Sequence, residues 1–393
     1  MNEIKYFFKL ERKLYSSQNP LIIAELGTSH NGEIAKAKRM IDSAAEAGAD
    51  CVKFQMVYAD EILHPDTGVV PLPGGNIRLY DKFKALEMPP EFYLDIKEYT
   101  ESKGILFLCT PFGMKSASIL RKMQPKMIKI ASPELNYTGL LEEIAKWGVP
   151  ALISSGVSTL ADIETAVNLF KGSMEPEIGN MDFNLNENKN PQVSSNSICL
   201  LHCVTSYPAP ETEYNLRLLP NLAAIFGVST GVSDHSSDPQ LVPSLAVSMG
   251  ASVVEKHFCL SKADPGLDDP IALPPDEFSK MVKAVKQAVK DRAQETIARF
   301  SRERGCALIE KILGNGIKKM ADSEKANYRL TNRSIHALHD IKKGETIKKD
   351  DYAVLRTEKV LRPGLEPCWE NLIEGRAAKN DIPSGEGIRF EDI

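Results

Sequence analysis

The fold is predicted most directly by residues 35–55, AKAKRMIDSAAEAGADCVKFQ. Residues 35–47 have the spacing of an amphipathic helix, Gly48 provides a turn, and residues 51–54 form a short, nearly continuous apolar run. Apolar runs that do not alternate with polar residues are typical of strands buried on both faces, as in parallel sheets. The segment therefore predicts a surface helix that leads into a buried parallel strand.

The same pattern recurs from about residue 20 to residue 295, with helical patterns between apolar runs. We predict strands at residues 21–26, 51–54, 105–109, 127–130, 151–154, 198–203, 225–228 and 253–256. Eight strand–helix units over roughly 250 residues have the size of a (β/α)₈ barrel. A doubly wound open sheet is the alternative, but the chain lacks its early glycine-rich dinucleotide turn. We therefore predict an α/β protein built on a TIM barrel.

The chain divides into four predicted parts, and the last sixty residues differ in character from the rest. They contain an internal repeat, DIKKGETIKKDD (340–351) and DIPSGEGIRFED (381–392), in which each copy predicts a glycine turn and a short strand. We predict an N-terminal extension (1–19), the barrel (20–299) with a polar surface insert (171–197), a connection (300–331) and a small β-rich module (332–393). We also predict one long charged helix at residues 276–299. A module this small buries little core alone, so it should pack on the barrel or on a partner chain.

Composition and charge exclude several classes of function. The net charge of −5 is spread along the chain without a basic stripe, which argues against a nucleic-acid partner. Apolar runs stay well below the roughly 18 residues of a membrane span, and the first residues do not have the pattern of a signal peptide. The seven cysteines form no CxxC pair, which favours a reducing cytoplasm over a disulfide framework.

Candidate functional residues follow from the barrel, because the active site of this fold lies at the carboxyl ends of the strands. The residues there, in chain order, are Glu25, Lys53, Gln55, Thr110, Lys129, Ser132, Glu134, Ser154, Ser155, Thr205, Ser206, Tyr207, Ser233, Asp234, His235, Glu255 and His257. Lysines and hydroxyl groups together suit a small phosphate ester that also carries a carboxylate. Lys53 and Lys129 are flanked by apolar residues, and a buried anion would provide the partner that such ammonium groups need.

Two histidines point to a metal. His235 and His257 close adjacent predicted strands, and a histidine pair with a nearby carboxylate suits a divalent ion that keeps positions open for water or substrate. A single histidine is more often structural, and His202, in the middle of a predicted strand, fits a core role and a functional role equally well.

At these motifs the chain resembles the sialic acid synthase family, which includes N-acetylneuraminate synthases and their legionaminic, pseudaminic and spore-coat relatives. The resemblance extends from about residue 20 to the end, and the last module resembles the SAF, or antifreeze-like, domain of that family. It rests on IAELGTSHNG (23–32), GADCVKFQ (48–55), TPF (110–112), KIASPEL (129–135), ISSG (153–156), LHCVTSYP (201–208), VSDHS (232–236) and VEKHF (254–258). Any one of these motifs is weak evidence, whereas the ordered series is specific.

The resemblance implies a role for each matching residue. The phosphate and carboxylate of phosphoenolpyruvate would be held by Lys53, Thr110, Lys129, Ser132, Ser154 and Ser233. His235 and His257 would bind Mn²⁺ or Mg²⁺, and Glu255 would lie close to the reacting centre. The sugar would meet Glu25, Gln55, Tyr207 and Asp268, with Thr205 also counted among the substrate-binding residues. In a domain-swapped homodimer, an arginine of the SAF domain would reach the sugar's N-acyl group, and Arg333 matches that position best.

The implied reaction is condensation of phosphoenolpyruvate with N-acetylmannosamine or a related N-acyl hexose, giving a nine-carbon 2-keto-3-deoxy sugar acid and phosphate. Departures from the family pattern at Thr205, Leu267, Asn332 and Leu365–Glu366 leave the sugar open. One alternative is a legionaminic or pseudaminic acid synthase that uses a 6-deoxy di-N-acyl hexose. Two further alternatives are a 3-deoxy-sugar-phosphate synthase and a catalytically silent carbohydrate-binding protein.

Overall fold

A computed structural model describes residues 6–72, 75–173, 197–358 and 360–393. Its strands are β1 (Phe8–Leu10), β2 (Lys13–Tyr15), β3 (Leu21–Gly27), β4 (Cys51–Met56), β5 (Val69–Leu72), β6 (Gly75–Arg78), β7 (Leu106–Pro111), β8 (Ile128–Ile130), β9 (Ala151–Ser154), β10 (Ile198–His202), β11 (Ser229–Asp234), β12 (Val253–His257), β13 (Arg333–Ala337) and β14 (Tyr352–Arg356). Its helices are α1 (Ile34–Glu46), α2 (Leu79–Ala85), α3 (Pro90–Ser102), α4 (Met114–Lys122), α5 (Thr138–Ala145), α6 (Leu160–Ser173), α7 (Leu218–Phe226), α8 (Leu241–Ser248), α9 (Pro275–Lys290), α10 (Ala293–Arg304) and α11 (Cys306–Leu313).

Eight parallel strands form the central sheet, in the order β7-β4-β3-β12-β11-β10-β9-β8. The two end strands, β7 and β8, lie against each other, so the sheet is a nearly closed barrel with helices outside it. The predicted TIM barrel followed by a small β-rich domain is therefore confirmed. Among the described residues, no helix is both long and apolar enough to span a membrane.

The barrel interior is apolar at one end and charged at the other. Because side chains alternate along a strand, the inward residues of β12 are Val253, Glu255 and His257. Val253 packs with inward residues of the other strands and with the β1–β2 hairpin, whose Phe8 and Tyr15 are buried beneath the barrel. The N-terminal hairpin thus covers the amino ends of the strands, and the polar residues gather at the carboxyl ends.

The predicted seventh strand, residues 225–228, is wrong. Helix α7 continues to Phe226, and Gly227 ends it in a left-handed conformation with φ of 60°. The strand is β11, whose sequence STGVSD is mostly polar although every residue in it is buried. Gly231 explains part of this composition, since a Cβ there would lie 2.5 Å from the Val253 carbonyl oxygen of the neighbouring strand. The prediction favoured the apolar run at 225–228, whereas close packing between the strands selects small residues in the actual strand.

The single helix predicted at residues 276–299 is also wrong, because α9 ends at Lys290 and α10 begins at Ala293. Asp291 and Arg292 are both extended, with ψ near 150°, and the Glu295 carboxylate accepts a hydrogen bond from the Arg292 amide at 2.8 Å. A carboxylate that reaches back over the first turn in this way is a helix start, so it separates the two helices. In the predicted insert at 171–197, residues 171–173 belong to α6, and residues 174–196 lie outside the described residues.

The C-terminal module has its own small core around Ile335, Ile347 and Val354. The two copies of its sequence repeat pair with each other, because Ile341 and Ile382 exchange backbone hydrogen bonds of 2.9 and 2.8 Å. The glycines at the predicted turns, Gly344 and Gly385, both have positive φ, as tight turns of this kind require. The module packs over the carboxyl-end mouth of the barrel of the same chain, where the Arg356 amide donates to the Ile62 carbonyl at 2.8 Å.

Candidate active site

The polar residues at the barrel mouth converge on one cavity. Its lining includes these predicted site residues: Glu25, Lys53, Gln55, Thr110, Lys129, Ser132, Ser154, Tyr207, Ser233, His235, Glu255, His257 and Asp268. They come from all eight barrel strands or the loops that follow them. Of the residues given a role by the family resemblance, Thr205 and Arg333 lie outside this lining. The remaining strand-end candidates, Glu134, Ser155, Ser206 and Asp234, lie outside it as well.

Glu255 lies at the centre of the cationic side of the cavity. Its Oε1 atom accepts hydrogen bonds from Lys53 Nζ at 3.1 Å and from Ser233 Oγ at 2.8 Å, and Lys129 Nζ lies 3.8 Å away. Lys129 also donates to Ser154 Oγ at 2.7 Å. Two buried ammonium groups therefore lie beside Glu255. Positive charge is left for an anionic ligand when the other carboxylate beside Lys53, Glu25, is protonated.

A second carboxylate, Glu25, lies on the other side of Lys53. Its Oε2 atom is 3.2 Å from Lys53 Nζ but has no hydrogen-bond partner, while Oε1 accepts from Gln55 Nε2 at 2.7 Å. Burial raises the pKa of Glu25 to about 7, against the opposing effect of Lys53. Burial also raises the pKa of Asp268 to about 6. Glu25 is thus poised to exchange a proton near neutral pH.

The two lysines and Glu255 titrate in different directions. Burial lowers the pKa of Lys129 to about 8, with Lys53 adding to this effect and Glu255 opposing it. Burial would also lower the pKa of Lys53, but the neighbouring Glu25 and Glu255 outweigh it and hold that pKa above its usual value. Burial would raise the pKa of Glu255, whereas Lys129 and Lys53 bring it down to about 2. Glu255 is therefore charged at neutral pH, and Lys129 is the cation closest to losing its proton.

His235 and His257 face each other across the cavity with ring centroids 5.5 Å apart. The Nδ1 of His235 lies 2.8 Å from the Val204 carbonyl oxygen, a contact that requires a proton on Nδ1 and leaves Nε2 as an acceptor. Burial lowers the pKa of both imidazoles to about 3, so both are neutral at pH 7. The ring of Tyr207 packs on His235 at 4.4 Å between centroids, and Asp268 Oδ2 lies 3.7 Å from His257 Nδ1.

These donors fit a divalent metal that takes two ligands from the protein. Neutral imidazoles are good ligands for Mn²⁺-like ions, and the Nδ1 contact of His235 is the kind that orients a ligand histidine. Among the described residues, no cluster of three or more His, Cys, Asp or Glu side chains could hold an ion alone. Water or substrate would therefore have to fill the remaining positions.

One wall of the cavity is apolar and was not predicted. It is formed by Val57, Ile62, Phe83, Phe112, Ala131 and Leu267. Most of these residues come from the loops after β4, β7 and β8, so strand-end reasoning did not reach them. The wall gives the cavity a surface for methyl groups opposite its charged floor.

Arg356, at the end of β14, is the residue of the C-terminal module that lines the cavity. Its Nε donates to Glu134 Oε1 at 3.0 Å, and its guanidinium lies 5.3 Å from the centre of the Phe112 ring. Arg356 was not predicted, because the strand-end rule was applied to the barrel alone. The chain carries a signal for it, since Arg356 closes the mostly apolar run YAVLR (352–356), and in the structure it is the antiparallel partner of Arg333.

Arg333 itself is a buried clamp between the two domains, with an exposure of only 1 %. Its Nε and Nη2 lie 3.1 and 3.0 Å from Glu134 Oε1, and its other N–H groups donate to the carbonyl oxygens of Glu61, Phe112 and Val354. Every side of the guanidinium is thus occupied by protein. The structure brings Arg356, and not Arg333, to the cavity.

Thr205 has a similar supporting position behind the lining. Its amide donates to Glu324 Oε1 at 2.8 Å, and its carbonyl oxygen accepts from Asn327 Nδ2 at 2.7 Å. A Cβ on Gly156 would lie 2.1 Å from Thr205 Oγ1, so only glycine at 156 allows this close packing beside Ser132. His202 is also outside the cavity: its Nε2 lies 2.6 Å from the Tyr214 carbonyl oxygen, which gives it a structural contact.

Comparisons with known proteins agree with this picture. Residues 40–296 match the NeuB family, and residues 332–393 match the SAF domain. The spore coat polysaccharide biosynthesis protein SpsE of Bacillus subtilis is 34 % identical over 98 % of this chain and 97 % of its own length. The crystal structure of SpsE superposes on this protein with a TM-score of 0.77, and the match covers 98 % of this chain and 99 % of the SpsE chain.

Two further relatives have names that state an activity. The N,N'-diacetyllegionaminic acid synthase of Legionella pneumophila is 32 % identical, over 96 % of both chains. A pseudaminic acid synthase of Campylobacter jejuni is 31 % identical over 98 % of both chains.

The barrel, its charged mouth and the module above it define an enzyme, a phosphoenolpyruvate-dependent transferase that forms a C–C bond in a sugar acid. The chain belongs to the NeuB family and carries a SAF domain at its C-terminus.

The clamp gives a prediction for Arg333. Removing one partner of a buried ion pair costs about 3–5 kcal/mol, and we expect Arg333→Met to lie near the lower value because Arg356 still neutralises Glu134. The free energy of unfolding, measured by urea denaturation, checks this. Arg376→Met, in an exposed position of the same module, is the matched control and should change it little. Unchanged stability together with a raised KM for the sugar would instead support the role of Arg333 as a sugar contact.

Proposed function

We propose that the enzyme condenses phosphoenolpyruvate with an N-acyl hexose of the N-acetylmannosamine type, giving a nine-carbon 2-keto-3-deoxy sugar acid and phosphate. The observation that carries the proposal is the meeting of two buried lysines with two neutral histidines in one cavity. The lysines suit the phosphate and carboxylate of phosphoenolpyruvate, and the histidines suit the carbonyl end of an open-chain sugar.

Phosphoenolpyruvate would lie against Lys53 and Lys129, with hydroxyl groups of Thr110, Ser132 and Ser154 completing the anion site. Thr110 Oγ1 is buried without a hydrogen-bond partner, so a ligand oxygen would satisfy it. Bringing an anion to the lysines also offsets the cost of burying two ammonium groups beside one another. This explains why the site keeps both lysines inside the barrel.

In the reaction, C3 of phosphoenolpyruvate attacks the sugar aldehyde, and C2 becomes cationic. The protonated Glu25 carboxyl would give its proton to the new alkoxide and then take one from the water that adds to C2, after which phosphate leaves. The pKa of about 7 suits Glu25 to both steps. Glu255, charged and fixed by Lys53 and Ser233, would stabilise the positive charge at C2.

The proposed metal, Mn²⁺ or Mg²⁺, would be held by His235 and His257. When bound, it would supply Lewis acidity to the sugar carbonyl. Tyr207 would keep the His235 ring in place by packing on it.

The apolar wall favours a second candidate for the sugar, a 6-deoxy di-N-acyl hexose. Such a sugar has a methyl group at C6 and two acyl methyl groups, which can be buried against Phe83, Ile62 and Leu267. A sugar phosphate fits less well, because Lys53 and Lys129 are assigned to phosphoenolpyruvate and the remaining cationic residue of the described lining, Arg356, is paired with Glu134. This argues against the 3-deoxy-sugar-phosphate alternative.

The homodimer with exchanged modules and the cytoplasmic location remain predictions. In the chain described here, Arg356 reaches the cavity of its own barrel.

Lys129 provides the test of the anion site. We expect Lys129→Met to abolish turnover while leaving the fold intact. In the wild type, kcat/KM for phosphoenolpyruvate should fall above about pH 8, since Lys129, with its lowered pKa of about 8, loses the charge that binds the anion. Lys129→Arg, if active, should move this alkaline limb to higher pH, because guanidinium stays charged. Steady-state kinetics across pH 6–10 check this, and unchanged kinetics in Lys129→Met would remove the assignment.

A panel of sugars tests the substrate. Phosphate release with phosphoenolpyruvate and Mn²⁺ is measured for N-acetylmannosamine, for a 6-deoxy di-N-acyl hexose and for a pentose phosphate, with products identified by mass. If the apolar wall selects the sugar, the 6-deoxy compound should give the highest kcat/KM, and Phe83→Ser should reduce that preference by roughly 10-fold, the effect of about 1.4 kcal/mol. Activity with the pentose phosphate alone would overturn the proposed function.

Removing metal tests the histidine pair. Enzyme treated with a chelator and then dialysed should be inactive and should recover on addition of Mn²⁺, because the proposed site offers the ion two imidazoles and the described residues contain no cluster of three or more such ligands. All buffers are freed of zinc and manganese, so that no metal from the solutions can restore activity before Mn²⁺ is added. Full activity in the presence of chelator would end the metal hypothesis.

A further inference from the structure

Directly behind the two histidines, a second charge pair is buried on the outer face of the barrel. Lys256 Nζ lies 2.6 Å from Asp234 Oδ2, and the two side chains are 1 % and 0 % exposed. Neither residue lines the cavity, and the proposed reaction uses neither. Both belong to the motifs that carry the histidines, VSDHS (232–236) and VEKHF (254–258).

The position of this pair in the sheet is specific. Asp234 and Lys256 are register partners on the adjacent parallel strands β11 and β12, and both point away from the barrel interior. Each immediately precedes one of the histidines along the chain. The ion pair therefore joins β11 and β12 at their carboxyl ends, beside the two histidines that face the cavity.

Lys256 does more than neutralise Asp234. Its ammonium group also donates to the carbonyl oxygen and the hydroxyl group of Ser236, while Asp234 Oδ1 accepts from the Ser236 amide at 2.8 Å. These contacts enclose His235, the residue between Asp234 and Ser236. An apolar pair of the same size would pack, but it could not fix the orientation of these backbone groups.

Tyr214 completes the support from the other side. Its hydroxyl group accepts a hydrogen bond from the His235 amide at 2.6 Å and is itself bonded to Asp234. With Nδ1 bound to the Val204 carbonyl, His235 is held at its backbone and at its ring. His257 is fixed in turn by its place in β12, next to Lys256.

We propose that the buried Lys256–Asp234 pair positions His235 and His257 relative to each other and so sets the affinity of the enzyme for its divalent metal. The inference rests on the proposed metal site. Lys256 and Asp234 are positioning residues in this proposal, since they act through the histidines and touch neither substrate nor metal. Changes in the partners of ligand histidines typically weaken metal binding by about 10- to 100-fold.

The test is a titration of metal-free enzyme with Mn²⁺, in which free Mn²⁺ is read by electron paramagnetic resonance. The main variant combines Asp234→Asn with Lys256→Met, so that no unpaired charge stays buried and the fold is preserved. We expect this variant to keep the circular dichroism spectrum of the wild type, to bind Mn²⁺ about 10- to 100-fold more weakly, and to keep its KM for phosphoenolpyruvate at saturating Mn²⁺. Asp234→Glu, which keeps both charges but moves the carboxylate by one methylene group, carries the same test if the double variant does not fold.

Lys171→Met is the matched control. Lys171 also donates to a backbone carbonyl, that of Phe226 at 2.6 Å, but outside the cavity, and its loss should leave Mn²⁺ affinity unchanged. A folded double variant that binds Mn²⁺ as tightly as the wild type would overturn the positioning role. A wild-type enzyme that binds no Mn²⁺ would instead overturn the metal site itself, which distinguishes the two failures.

Discussion

The structure depends on placing several charges inside one end of an otherwise apolar barrel. Glu255 makes this possible, because one carboxylate accepts from Lys53 and Ser233 and lies near Lys129. Each of these groups would be costly to bury alone. When Glu25 is protonated, these groups form a network with residual positive charge, which an anion would neutralise. The same buried charges that the barrel must stabilise therefore also favour the binding of an anionic substrate.

The same constraint separates the functions of neighbouring groups. Two carboxylates flank Lys53, yet the pKa of Glu25 is raised and that of Glu255 is lowered. The difference arises because burial and the neighbouring Glu255 outweigh the effect of Lys53 on Glu25, whereas Lys129 and Lys53 together outweigh the effect of burial on Glu255. Paired carboxylates with different environments are a common way to obtain a proton carrier beside a fixed charge.

The interface between the barrel and the module also depends on a buried carboxylate that is shared by two cations. Glu134, at the barrel mouth, is fully buried and bonds two arginines of the module, Arg333 and Arg356. One of them is enclosed by backbone carbonyls and holds the domains together, whereas the other lies at the edge of the cavity. The module therefore contributes both the cover of the site and part of its wall. A substitution of Arg333 should therefore also change the position of Arg356 at the cavity, because both arginines bond Glu134.

The barrel and most of the residues at its mouth can be predicted from the chain alone. Short apolar runs that end in polar residues, such as CVKFQ at 51–55, specify both a buried parallel strand and the side chains at its carboxyl end, since strand periodicity and the fold place those ends together. The prediction failed at β11, where close strand packing selects small polar residues, and at Asp291, where a capping contact divides a helix. Which arginine faces the cavity and where the apolar wall lies depend on packing between distant parts of the chain. Arg333 and Arg356 have the same charge and sit on paired strands, so their roles differ only in what packs against each one. Most of these contacts join residues about two hundred or more positions apart, and no local pattern in the chain records them.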